Sequence, residues 1–122
     1  MGDRANFGFR DSKENIIFLY GHWSGHRMLE NLANAVEQAR PRWQDESYAT
    51  RICVSQLINE EWASETGWGI YVNQIGDNEH KIPVIDWKNG TFTLFEHDLH
   101  TPVFSQSLDA FVKKYSSQPS MV

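Results

Sequence analysis

A chain of 122 residues, 40% of them hydrophobic and 22% charged, has room for one domain and one core, and its composition excludes fibrous and disordered classes. The formal charge of −5, with no run of Lys or Arg, argues against binding a nucleic acid strand, which calls for a basic stripe. A single cysteine, Cys53, allows no internal disulfide, no stretch approaches the roughly 18 apolar residues of a membrane span, and the start lacks a basic and apolar leader, so a cytoplasmic protein away from membranes is expected.

Residues 4–10 alternate, with Ala5, Phe7 and Phe9 on one face and Asn6, Gly8 and Arg10 on the other, the period of a half-buried strand. After the polar cluster at 11–15, the unbroken apolar run 16–20 predicts a strand buried on both faces, so the two form a hairpin. Gly21 to Gly25 reads as a loop, with Ser24 as the helix cap. Met28, Leu29, Leu32, Ala35, Val36 and Ala39 then recur at helical spacing up to Pro41. A second helix is predicted from about 45 to 59, with Ala49, Ile52, Cys53 and Leu57 inward.

Residues 69–73 read as a strand and Gly76-Asp77-Asn78 as a turn. Residues 81–87 and 91–96 form a second hairpin across Lys88-Asn89-Gly90, because Asn-Gly is the usual sequence of a tight turn. Pro83 lacks a backbone donor, which predicts an edge or bulged strand. Leu108, Phe111, Val112 and Tyr115 make the apolar stripe of a last helix, and residues 116–122 read as a frayed tail. The expected fold is a single α+β domain over 1–122, in the order ββααβββα, with a mostly antiparallel sheet and helices packed on one face.

Three groups of residues can carry chemistry. The first is Tyr20-Gly21-His22-Trp23-Ser24-Gly25-His26, where a strand turns into a helix. Its glycines allow close backbone approach, and the helix N-terminus offers free N–H groups to an anion; the plainer alternative is a connection shaped by glycine. His22 and His26 have i, i+4 spacing, but with two glycines between strand and helix and no Glu after the first His, zinc is not expected. The second group, Gly76 to Lys81, gathers Asp77, Glu79 and His80, which suit acid–base work or a solvated turn. The third is Asp3-Arg4 with Arg40, Arg42, Trp43, Tyr48 and Arg51: guanidinium forks beside aromatic rings, a set that fits a nucleotide or simply pairs with Asp3, Asp45 or Glu46. There is no G-x-S-x-G elbow, P-loop or G-x-G-x-x-G, and Cys53 is expected in the core.

The opening Met1-Gly2-Asp3-Arg4-Ala5-Asn6, the Tyr20-x-His22-Trp23-x-Gly25 loop, the Arg42-Trp43 pair and Gly76-Asp77-Asn78-Glu79 together resemble a group of short proteins encoded by bacteriophages, especially those of actinobacteria, and by some bacterial genomes. The resemblance covers the chain to about residue 96. It implies a setting, an accessory phage-type protein in bacterial cytoplasm, and carries over no catalytic residue. Proteins of that setting commonly act by binding, either blocking a host protein or sequestering a nucleotide signal of host defence.

The leading expectation is therefore a protein that binds a small anionic, nucleotide-like ligand without turnover and without a cofactor or metal. Arg4, Asn6, His22, Trp23, Arg42, Trp43, Arg51, Asp77 and Asn78 are its candidate ligand-binding residues. The alternative is a protein–protein inhibitor or oligomeric interaction module, since five Trp leave aromatics for an interface, and a homo-oligomer is expected. A third reading is a small hydrolase that pairs His22 with Asp77 or Glu79.

Overall fold

The computed structural model of the chain describes residues 2–117. Six strands form one mixed sheet: β1 (Ala5–Arg10), β2 (Ile16–Gly21), β3 (Trp68–Val72), β4 (Ile82–Asp86), β5 (Thr91–Phe95) and β6 (Pro102–Ser107), in the order β3-β2-β1-β4-β5-β6. All neighbours are antiparallel except the central pair, β1 and β4, which are parallel, with Gly8 opposite Val84. Three helices, α1 (Met28–Gln38), α2 (Glu46–Ile58) and α3 (Leu108–Tyr115), complete an α+β fold, with 3-10 turns at Arg40–Arg42 and Asn59–Ala63.

The larger core lies between the helices and the sheet face that carries Phe7, Phe9, Leu19, Ile85 and Phe92, against Leu32, Val36, Ala49, Cys53 and Phe111. The Phe92 and Phe111 rings stack with centroids 4.0 Å apart, tying α3 to β5. On the other face Ile16, Phe18, Ile82 and Val84 form a smaller cluster. There, alternating strand residues are sealed by loop residues Ile75 and Leu99. Burial pushes the Cys53 thiol up, away from the reactive thiolate form.

Local chemistry explains the differences from the sequence expectations. The order is ββααββββα: β6 is an additional strand, whose P-V-F-S-Q-S sequence is largely exposed and so lacks an apolar run. Pro83 stands in β4, a central strand; the parallel register with β1 begins one residue later, at Val84, so the missing N–H falls before that ladder starts. The hairpin over 87–90 is a four-residue loop between the opposed Asp86 and Thr91, in which Gly90 alone has positive φ and Asp86 accepts from the Asn89 backbone and side-chain amides.

Ser24 does not cap α1. The cap position is Arg27, in left-handed conformation at φ 60, with no side-chain bond to the helix. Strand β2 is not covered on both faces along its length, because Ile17 is open to solvent. Of the tail read as frayed, Ser117 donates its backbone N–H to the Asn34 side chain, and residues 118–122 lie outside the described residues. No described helix is long and apolar enough to cross a membrane.

Candidate functional site

Parallel strands start at the same end of a sheet, so the segments leading into β1 and β4 meet although about seventy residues separate them. Asp3, Arg4 and Asn6 come from the first segment, and residues 76–80 from the second. The buried Asn6 amide is fully used. Its Oδ1 accepts from Gly76 N–H at 2.9 Å, and its Nδ2 donates to the Asp77 carbonyl at 3.0 Å and to Asn78 Oδ1 at 3.2 Å. Arg4 donates its backbone N–H to Glu79 at 2.9 Å, and its guanidinium meets Glu79 at 3.2 Å and Asp77 at 3.4 Å. These bonds hold the Glu79 carboxyl below its usual range, the Arg4 backbone N–H contributing most.

The His22 loop closes the same end. Asp3 N–H donates to the His22 carbonyl, and Gly25 N–H to the Asp3 carbonyl. His80 Nε2 and Asp3 Oδ1 lie 2.6 Å apart, and a side chain at position 25 would run into both, so Gly25 makes room for the protein's own hydrogen bond. The hydrogen bond with His80 is the main cause holding the Asp3 carboxyl below its usual range. A carboxyl depressed in the folded state stabilises above its unfolded pKa of about 3.9, and that contribution is lost as pH falls through the lower folded value. Asp3→Asn is therefore expected to lower the thermal midpoint at pH 7 and to converge with the parent chain below about pH 4. An unchanged gap at low pH would count against the pairing.

His22 is brought to this cluster, but its Nδ1 lies 2.8 Å from the Tyr20 hydroxyl, whereas Asp77 and Glu79 are engaged by Arg4. The acid–base pairs expected from sequence are thus not joined by a hydrogen bond; the carboxylate that meets a histidine is Asp3, with His80. Trp23 is 60% exposed, edge-on to His22 with centroids 4.6 Å apart. It borders a cleft of about 210 Å³ with His26, Asn31, Glu61 and Trp68. Among the described residues no three His, Cys, Asp or Glu side chains are grouped to hold a metal ion.

Arg42, Trp43 and Arg51 are placed at the other end of the sheet. The turn between β1 and β2 is there, because Ser12 N–H donates to Glu46 in the first turn of α2, and β1 spans six residues, about 20 Å, away from Ala5. Trp43 is structural. Its indole N–H donates to the Val36 carbonyl at 2.8 Å and Arg40 stacks on its ring at 4.3 Å.

Arg42 lies over Tyr48 at 5.1 Å. Together with Ser47, Arg51 and Ile52 they line an open cleft of about 370 Å³. Of the six arginines, Arg4, Arg10, Arg27 and Arg40 are paired with carboxylates. Among the described residues Arg42 and Arg51 have no such pair, Arg51 donating instead to the Ser55 hydroxyl at 3.3 Å. Sequence reading set Tyr48 beside these arginines without ranking them; which guanidiniums are already neutralised is a property of the fold.

No protein-family model, curated protein or solved structure matches the chain.

Proposed function

We propose that the chain is a binding protein for a small anionic ligand with a planar group, nucleotide-like in chemistry, held in the cleft of Arg42, Tyr48 and Arg51. The observation that carries this reading is that these two arginines, in a chain of charge −5, have no carboxylate partner among the described residues and flank the exposed Tyr48. A guanidinium without a carboxylate keeps its fork for a phosphate oxygen pair, and a phenol ring offers a face to a base.

The first turn of α2 adds backbone amides that a helix leaves unpaired; Asp45 at its cap position makes no side-chain bond to them, and Glu46 is occupied by Ser12 N–H. The Asp3–Arg4–Asn6 cluster is less suited to an anion, since Arg4 is neutralised by Glu79 and Asp77 and the Asn6 amide is used internally.

Calorimetric titration with adenosine monophosphate, and with adenosine and inorganic phosphate as its separate halves, tests the reading. The monophosphate is expected to bind best, more weakly as salt rises. Arg42→Ala and Arg51→Ala should each weaken it roughly tenfold or more, as removal of a charged hydrogen bond does, and Arg4→Ala should leave it unchanged. Equal binding by the parent and by both cleft variants would refute the assignment.

A further inference from the structure

The two edges of the sheet are built differently. An edge strand presents a row of unpaired N–H and C=O groups, which proteins shield with proline, lysine, bulges or charge. At one edge β6 begins with Pro102 and its register with β5 breaks between Leu94 and Phe95. At the other, β3 reads Trp-Gly-Ile-Tyr-Val, pairs with β2 in unbroken register, and holds neither proline nor charge.

The surface beside that edge is apolar. Val72 lies opposite Ile17, and Ile70 opposite Leu19, so they share the face whose Phe7, Phe9 and Leu19 are buried under the helices. The helical cover stops short of the rim: Ile17 is 37% exposed, and Ile70 and Val72 60% each. Trp62, in the 3-10 turn that leads toward β3, is 80% exposed. Its neighbour Glu61 accepts from the Trp68 indole at the start of β3, and an indole left in water is the residue type that anchors interfaces.

Charge selects the occupant. Between Arg51 and Lys81 the sequence contains no lysine or arginine, whereas Glu60, Glu61 and Glu65 fall just before β3; Asp77 and Glu79, after it, are held by Arg4. Glu60, Glu61 and Glu65 are exposed around Trp62. These carboxylates at the start of the edge attract a basic chain. Size favours a segment over a second copy, because the exposed parts of Trp62, Ile17, Ile70 and Val72 amount to on the order of 500 Å², short of the ~800 Å² per partner of a standard stable interface.

We infer that the β3 edge receives an extended segment of a basic partner protein by strand addition. Its apolar residues, at alternate positions, lie over Ile17, Ile70 and Val72. Its lysines or arginines meet the acidic surround, and Trp62 packs against the added strand. Main-chain hydrogen bonds supply the affinity and the alternation sets the phase. This surface is separate from the arginine cleft on α2 and does not depend on what that cleft binds.

The test uses the full chain and a synthetic peptide of alternating valine and lysine, of roughly strand length, with a valine–glutamate peptide as control. The valine–lysine peptide is expected to bind, to weaken with salt, and to slow hydrogen exchange of solvent-facing β3 amides. Ile70→Lys and Trp62→Ala should each weaken it roughly tenfold with an unchanged thermal midpoint, both sites being exposed. Arg42→Ala should have no effect. Absence of binding, equal binding by the glutamate peptide, or binding unaltered in both β3-side variants would overturn the inference. So would light scattering that shows a dimer broken by Ile70→Lys, since the edge would then belong to a second copy.

Discussion

Arg40→Met is expected to destabilise the chain by about 3–5 kcal/mol, the cost of leaving a buried charge unpaired. Glu37 sits on the inward side of α1 with 1% of its surface exposed. Both of its carboxylate oxygens are taken by Arg40, at 2.7 Å and 3.2 Å. The same guanidinium reaches Asp109 of α3 at 2.7 Å and lies on the Trp43 ring, so one side chain joins α1, the turn after it and α3. Methionine keeps the length and loses the charge. The double variant Glu37→Leu with Arg40→Met removes both partners and should recover most of the loss, because an apolar replacement of a buried ion pair is often neutral. Urea denaturation at neutral pH reads both. A single variant within about 1 kcal/mol of the parent, the range of an exposed surface pair, would show that Glu37 finds water or another partner.

That pair also marks where sequence reading stops. Periodicity located the elements that bury a regular face: Phe7 and Phe9 at every second residue, and Leu108, Phe111 and Val112 at helical spacing, all in the larger core. It missed β6, an exposed edge strand with little apolar face to show. It also placed Pro83 at an edge or a bulge, because a single strand carries no sign of where its neighbour's ladder begins. The parallel pairing of β1 with β4 is a non-local event. That pairing is what brings Asp3, Arg4 and Asn6 to residues 76–80.

The candidate residues were legible as types, and their grouping was not. Arg4, Asn6, His22, Asp77 and Asn78 share one end of the sheet, with Trp23 beside His22, while Arg42, Trp43 and Arg51 lie toward the other. Local spacing cannot reveal this, since it depends on which end of the sheet each connection returns to. Nor can it say which arginines are spent on the protein's own carboxylates. That Arg42 and Arg51 have no carboxylate partner among the described residues emerges only when the partners of the other four are known. The open edge of β3 is half visible beforehand: the missing lysines between residues 51 and 81 can be read from sequence, but edge position cannot.

Asn6→Ala should cost about 1–3 kcal/mol, since it removes two hydrogen bonds to the loop backbone at roughly 0.5–1.5 kcal/mol each. The Gly76 N–H loses its acceptor and the Asp77 carbonyl its donor, at a position where Asn6 itself is fully buried. Alanine fits β1 and removes the amide that holds the loop. Asn6→Asp is expected to be worse, because a carboxylate would turn an oxygen toward the Asp77 carbonyl and Asn78 Oδ1 where the amide now donates. The damage should spread through the 73–81 loop, whose Ile75 seals the smaller core over Phe18 and Ile82, and leave the helix-side core in place. Asn78→Ala makes a milder comparison, as it removes one side-chain partner of Asn6 and keeps both backbone bonds. Hydrogen exchange at the Gly76 amide separates the cases. Rapid exchange in Asn6→Ala and protection in Asn78→Ala is the expected pattern. A protected Gly76 amide in Asn6→Ala would mean that the loop is held by the Arg4 ion pairs and the His80–Asp3 hydrogen bond, and that Asn6 only fills space.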